Sequence, residues 1–143
     1  MGREVGKRSV LAMGRTETLT IVAPCAFLNA NQRIHWTKRN YLTQTWRTAA
    51  AWAARARKIA PFTTQVDVLV IVHKASRAGG RWDPANIADP TGKALIDGLV
   101  DAGVLADDDH KHLRYKSSGR GESLSRNAIT LVITEVAEAG DAA

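Results

Sequence analysis

Arg81-Trp82-Asp83-Pro84-Ala85-Asn86-Ile87-Ala88-Asp89-Pro90-Thr91-Gly92-Lys93-Ala94-Leu95-Ile96-Asp97-Gly98-Leu99-Val100-Asp101-Ala102-Gly103 decides how this chain reads. Ala94, Leu95, Ile96, Leu99 and Val100 recur at helical spacing and supply one apolar side. Asp89 before Pro90 predicts where the helix opens, because an N-cap acceptor precedes a residue whose fixed φ suits the first helical position. Gly103 predicts where it closes. Asp83 then falls on the loop leading in, just beyond the end of a strand.

Working outward, Val66 to His73 reads as a strand, apolar enough to be covered on both faces, followed by a turn at Arg77-Ala78-Gly79-Gly80-Arg81. Upstream of it, Thr37 can cap a basic, alanine-rich helix that runs to about Ala60, where Pro61 stops it. Leu42, Trp46, Ala49 and Ala53 would form its packed face. Thr18 to Val22 reads as the first strand. Beyond the acidic loop Asp107-Asp108-Asp109, two further strands are expected, about His112 to Ser117 and Ala128 to Val136. The order β-α-β-α-β-β predicts an α+β fold, a single domain over residues 17–136 with one mixed sheet packed with two helices. Residues 1–16 read as a disordered basic arm and 137–143 as a disordered tail.

The 143 residues suffice for one core, and 45% hydrophobic with 24% charged residues is ordinary globular composition. A net charge of +6 favours a polyanionic partner, since cations set against phosphates release counterions. One cysteine, Cys25, rules out a disulfide within the chain and a cysteine-built zinc site, and suits a reducing, cytoplasmic setting. No apolar stretch is long enough to span a bilayer, and the basic first 15 residues lack the apolar segment of a signal peptide.

The chemistry-bearing groups are Asp83, Asn86, Lys93, Asp97 and the run Asp107-Asp108-Asp109. Lys93 and Asp97 are four apart and share a helix face, while Asp107 and Asp108 follow the helix end, so short connections can gather these groups at one end of the sheet. Clustered carboxylates repel unless something positive joins them. Oxygen donors without a cysteine or histidine pattern favour Mg²⁺, or Mn²⁺ in its place. Such an ion activates water and neutralises a phosphodiester, and a nearby lysine stabilises developing negative charge.

Arg81-Trp82-Asp83…Asn86, then Lys93-Ala94-Leu95-Ile96-Asp97-Gly98-Leu99, then Gly103-Val104-Leu105-Ala106-Asp107-Asp108, resembles the RusA-like Holliday junction resolvases of phages and prophages. That family shows R-x-D-x-x-N, K-A-x-x-D-x-L and G-x-x-x-D-D in this order. The loop Leu28-Asn29-Ala30-Asn31-Gln32-Arg33, followed by His35-Trp36, is similar to the family's early Asn-rich loop, and the resemblance covers roughly residues 18–136. It implies an Mg²⁺-dependent homodimeric endodeoxyribonuclease that binds four-way junctions and resolves them by paired symmetric nicks, in DNA recombination and repair. By motif, Asp83, Lys93 and Asp108 take the catalytic places, with Asp107 beside Asp108, and Asn86 and Asp97 orient the site.

Two features depart from the pattern. The family's second aspartate is replaced by Ala85, and the spacing from Asn86 to Lys93 is longer, with Asp89-Pro90 in the insert. Asp89 is either the missing metal carboxylate or the N-cap, and Asp97 can also compensate from the helix. Around this centre, Arg33, Lys38, Arg39, Arg77 and Arg81 are the expected phosphate contacts, and each is equally a solubilising charge. Trp36 and Trp82, in polar basic loops, are placed to stack on an unpaired base; Trp46 and Trp52 read as core or dimer contacts. Asp101 and Asp109 read as solvated neighbours, and His110 and His112 as surface histidines. A non-catalytic binder of branched DNA and a nuclease indifferent to DNA structure are the competing readings.

Overall fold

The computed structural model describes residues 14–75 and 81–136. Six elements follow in order: β1 (Thr16–Val22), α1 (Trp36–Ala56), β2 (Val66–His73), α2 (Pro84–Asp101), β3 (Leu113–Arg120) and β4 (Ala128–Glu135). They form the expected α+β fold, a mixed four-stranded sheet with two helices. The sheet order is β1-β4-β2-β3, with β1 and β2 antiparallel to β4, and β2 parallel to β3. The parallel pair is joined through α2, the crossover such a pair requires.

Alternation along the strands sends Leu19 and Ile21, the four even-numbered valines of β2, and Ile129, Leu131 and Ile133 into one core with Leu42, Trp46, Leu95 and Leu99 of the helices. The opposite side of β2, including Leu69 and Ile71, is only half-buried. The expectation of a strand covered on both faces therefore fails: its apolar run reflects a central position, with neighbours on both edges but helices on one side. On α1, burial falls on Leu42, Trp46, Ala50, Ala51 and Ala54, while Ala49 and Ala53 are only half-buried. The face turns toward α2, where Gly98 meets Ala50 so closely that an added Cβ would lie 2.8 Å from the alanine's Cβ.

Local chemistry explains the helix ends. His35, one turn ahead of Arg39, caps α1 by accepting the Thr37 N–H at Nδ1, 3.1 Å, which displaces the expected Thr37 cap. The helix stops at Ala56 rather than Ala60 because Lys58 adopts φ 52°, and the Lys58 and Ile59 N–H groups return to the carbonyls of Arg55 and Ala54. A lysine in this left-handed position is strained where glycine is not. Lys58→Gly is expected to raise stability by about 0.5–1 kcal/mol in urea unfolding. Gly103 closes α2 in the same way at φ 78°, as expected.

Arg15 and Thr16, the last residues of the expected arm, are tied to the domain. The Arg15 N–H donates to Glu135 at 2.7 Å, its guanidinium lies over Phe62 at 3.8 Å, and Thr16 already pairs with Thr134. Residues 1–13, residues 76–80 with the turn expected around Arg77, and residues 137–143 with the expected tail lie outside the described residues.

Candidate metal centre and its cationic surroundings

The helix that carries the site opens six residues before its predicted start. Asp83, not Asp89, is the N-cap: its Oδ1 accepts the Ala85 N–H at 2.9 Å, and Pro84 takes the first helical position. Pro90 therefore lies inside the helix. A proline there has no N–H to give the carbonyl four residues back. That carbonyl, of Asn86, instead accepts the Ala30 N–H at 2.8 Å. One residue on, the buried Thr91 hydroxyl accepts the Leu28 N–H at 3.0 Å and donates to the Leu28 carbonyl at 2.8 Å. The bond lost to Pro90 thus becomes an anchor, pinning the Asn-rich loop to α2. Asn29 closes that loop, its side chain accepting the Asn31 N–H at 2.9 Å.

Freed from capping, Asp89 is exposed on the second turn of α2, one turn before Lys93 on the same face. The Lys93 ammonium is the centre of the site. It donates to Asp97 Oδ1 at 3.0 Å and makes a close ion pair with Asp108 from the loop after the helix. The Asp108 N–H donates to Asp107 Oδ1 at 2.7 Å, so Asp107 shapes the loop that presents Asp108. The hydrogen bond to Asp108 is the largest influence raising the Lys93 pKa, and the same bond is the largest one lowering that of Asp108. Both groups stay charged at neutral pH.

Lys116 of β3 closes the other side, donating to the Asp89 carbonyl at 3.1 Å. Its pKa is lowered, first by desolvation and further by the charge of Lys93, while Asp89 pulls it up. Sequence reasoning missed Lys116. Its only sequence signal was alternation with Ser118 and Arg120 along a strand, and that does not say which element the strand faces.

Asp83 is not part of this cluster. Ten residues of continuous helix put it about 15 Å from Lys93 along the axis. The expectation that Asp83, Lys93 and Asp108 come together is thereby corrected: Lys93, Asp97 and Asp108 converge, with Asp89 one turn away. Asp83 instead lines an open cavity of about 420 Å³ with Arg81, Trp82 and Arg120. Trp82 is packed partly against the core and carries Lys74 Nζ 4.9 Å and Arg120 Cζ 4.8 Å from its ring centroid, a setting unlike the free stacking platform expected. Trp36 at the start of α1 is 73% exposed with its ring tilted against that of His35 at 5.7 Å between centroids, and Trp52 is 68% exposed. Trp46 is fully buried, as the core reading required. Arg33, Lys38 and Arg81 are exposed and Arg39 is half-buried.

Two acids read as solvated neighbours have partners. Asp109 accepts from His112 Nδ1 at 2.6 Å. Asp101 takes the Arg47 fork at 2.6 and 2.8 Å, tying α1 to α2. That bond, then the charges of Arg47 and Arg55, hold the Asp101 carboxyl below its ordinary range against desolvation. A depressed carboxyl contributes stability above its unfolded pKa and loses it as pH falls through the folded one. Both side chains are more than a third exposed, so Asp101→Asn is expected to cost only about 0.5–1 kcal/mol at neutral pH. In urea unfolding the difference between wild type and variant should shrink to nothing once the pH is taken below the folded pKa.

Among the described residues, no three of His, Cys, Asp and Glu converge as a cage for a metal ion. Asp97 and Asp108 nonetheless reach the same ammonium, with Asp89 nearby. Two hard carboxylates suit Mg²⁺, which is commonly held by one or two carboxylates and completes its shell with water and phosphate oxygens. No family model matches the chain, and no curated protein matches it. No helix among the described residues is long and apolar enough to cross a membrane.

Proposed function

We propose that this chain is an Mg²⁺-dependent, structure-selective endodeoxyribonuclease that resolves four-way junctions by paired symmetric nicks. The observation that carries the reading is Lys93, held between Asp97 and Asp108 on an exposed helix face, with Lys116 and Asp89 alongside. Asp108 and Asp97, with Asp89, would hold the metal, which when bound activates water and neutralises the phosphodiester. Lys93, kept protonated by its two carboxylates, serves as a fixed positive charge for the negative charge that develops on phosphorus oxygens, not as a base. Asp107 positions Asp108, and Thr91 with the Asn86 carbonyl positions the Asn-rich loop beside the helix. Arg33, Lys38, Arg39 and Arg81 are the proposed phosphate contacts, and a homodimer would set two such centres on a two-fold-symmetric substrate. The setting proposed is DNA recombination and repair in the cytoplasm of a bacterial host, for a phage or prophage protein.

The separation of Asp83 from Lys93 favours one second reading, a protein that binds branched DNA without cutting it. Substrate selectivity tests the first reading. One sequence is presented as a four-way junction, as a flap and as a linear duplex, with Mg²⁺. Cleavage of the junction at least about tenfold faster than the duplex is expected. Equal rates on all three would identify a nuclease indifferent to branching, and tight junction binding with no cleavage would favour the second reading.

A further inference from the structure

Lys116 and Arg120 lie on the same side of β3, four residues and about 13 Å apart, facing α2. Their partners across the parallel register, Val68 and Val72, are core valines, which fixes that orientation. Lys116 reaches Asp89, while Arg120 reaches Trp82 at the opposite end of the exposed helix face. Lys74, just past the end of β2, converges on the same indole, and the exposed Arg81 adjoins it. Two cations, Arg81 and Arg120, and one carboxylate, Asp83, therefore border a single open cavity about 15 Å along α2 from Lys93, and a third cation, Lys74, lies over the indole that lines it. The indole carries two of these cations, so each is held in place before any ligand arrives.

We infer that the cavity between Arg81, Trp82 and Arg120, with Lys74 over the same indole, is a docking site for a backbone phosphate of the DNA, a few nucleotides from the one held at Lys93. The inference rests on the nuclease reading and extends it. Because a strand winds about the axis as it rises about 3.4 Å per nucleotide, 15 Å between phosphates corresponds to about two to three nucleotides of duplex. The cavity thereby selects for a duplex arm extending from the cut, and Lys116 lies on the path between the two phosphates. Trp82 acts here as the mount for Lys74 and Arg120, not as a base-stacking surface.

The test is junction binding by fluorescence anisotropy, without divalent metal, over a series of salt concentrations. Wild type is compared with Lys74→Ala/Arg120→Ala and with Arg120→Lys, and thermal unfolding of each reports on folding. The double alanine variant is expected to bind at least about tenfold more weakly at about 0.1 M salt, with a slope of log K against log salt shallower by about 0.9, the loss of one phosphate contact. Arg120→Lys should keep most of the slope. A double variant that folds like wild type and binds with unchanged affinity and slope would overturn the inference while leaving the nuclease reading intact. A wild type that binds no junction would overturn both.

Discussion

Asp108→Asn is expected to slow Mg²⁺-supported cleavage of a four-way junction by about 10²–10³-fold, with junction binding retained. The substitution keeps size and hydrogen-bonding capacity but removes one of the two charges that converge on Lys93. Asparagine is a poorer ligand for a hard cation, and Lys93 loses the partner that contributes most to holding it protonated and in place. Lys93→Ala should cause a loss of similar size through the same centre. It leaves Asp97 and Asp108 facing one another unneutralised, so the two effects should not add. Asp83→Asn is the contrasting case. Asparagine caps a helix as well as aspartate does, and position 83 is about 15 Å along the helix from Lys93, so cleavage should fall far less. Single-turnover rates on a labelled junction, with binding measured in parallel, separate these outcomes. Equal loss from Asp83→Asn and Asp108→Asn would show that the two carboxylates act together in the working enzyme.

Trp46→Ala should cost about 3–5 kcal/mol in urea unfolding, the largest stability effect of any single truncation considered. The side chain is fully buried, stacks on Phe27 at 5.6 Å between centroids, and donates its indole N–H to the Ala26 carbonyl at 2.9 Å. Truncation opens a cavity between α1 and the sheet and leaves that carbonyl without its partner. The effect reaches the site through the chain. Ala26 and Phe27 lead directly into Leu28, which Thr91 clamps onto α2. Trp46→Phe keeps most of the volume and loses the hydrogen bond, so about 1–2 kcal/mol is expected. A Trp46→Ala protein with an unshifted unfolding midpoint would mean that the indole does not hold the core together.

The strand and helix order could be read from residue patterns because each element carries its own signal. Val66–His73 is bounded by polar and turn residues, and Gly103 ends α2 through its backbone freedom, which is a local property. The start of α2 was ambiguous in principle. Asp-Pro occurs twice, at Asp83-Pro84 and Asp89-Pro90, and both pairs satisfy the same capping chemistry. What decides between them is distant in sequence: the Ala30 N–H takes the carbonyl that Pro90 leaves vacant, which makes a proline tolerable in the helix. The Lys93–Asp97 pair was legible from its spacing and the Asp107-Asp108 pair from its place just beyond the helix end, while the choice of Asp108 over Asp107 came only from the family resemblance. Lys116, Arg120 and Lys74 were not legible. Their place depends on β3 lying parallel to β2, a pairing set by tertiary structure. The Arg47–Asp101 pair spans 54 positions and escaped for the same reason.

The most direct test of the central claim is strand-resolved cleavage of a four-way junction by the wild-type protein, with Mg²⁺ and with chelator, each strand labelled in turn. Paired nicks on opposing strands that need the metal are the predicted result. A junction that is bound but stays intact across the Mg²⁺ and Mn²⁺ series would contradict it and leave a DNA-binding protein without nuclease activity.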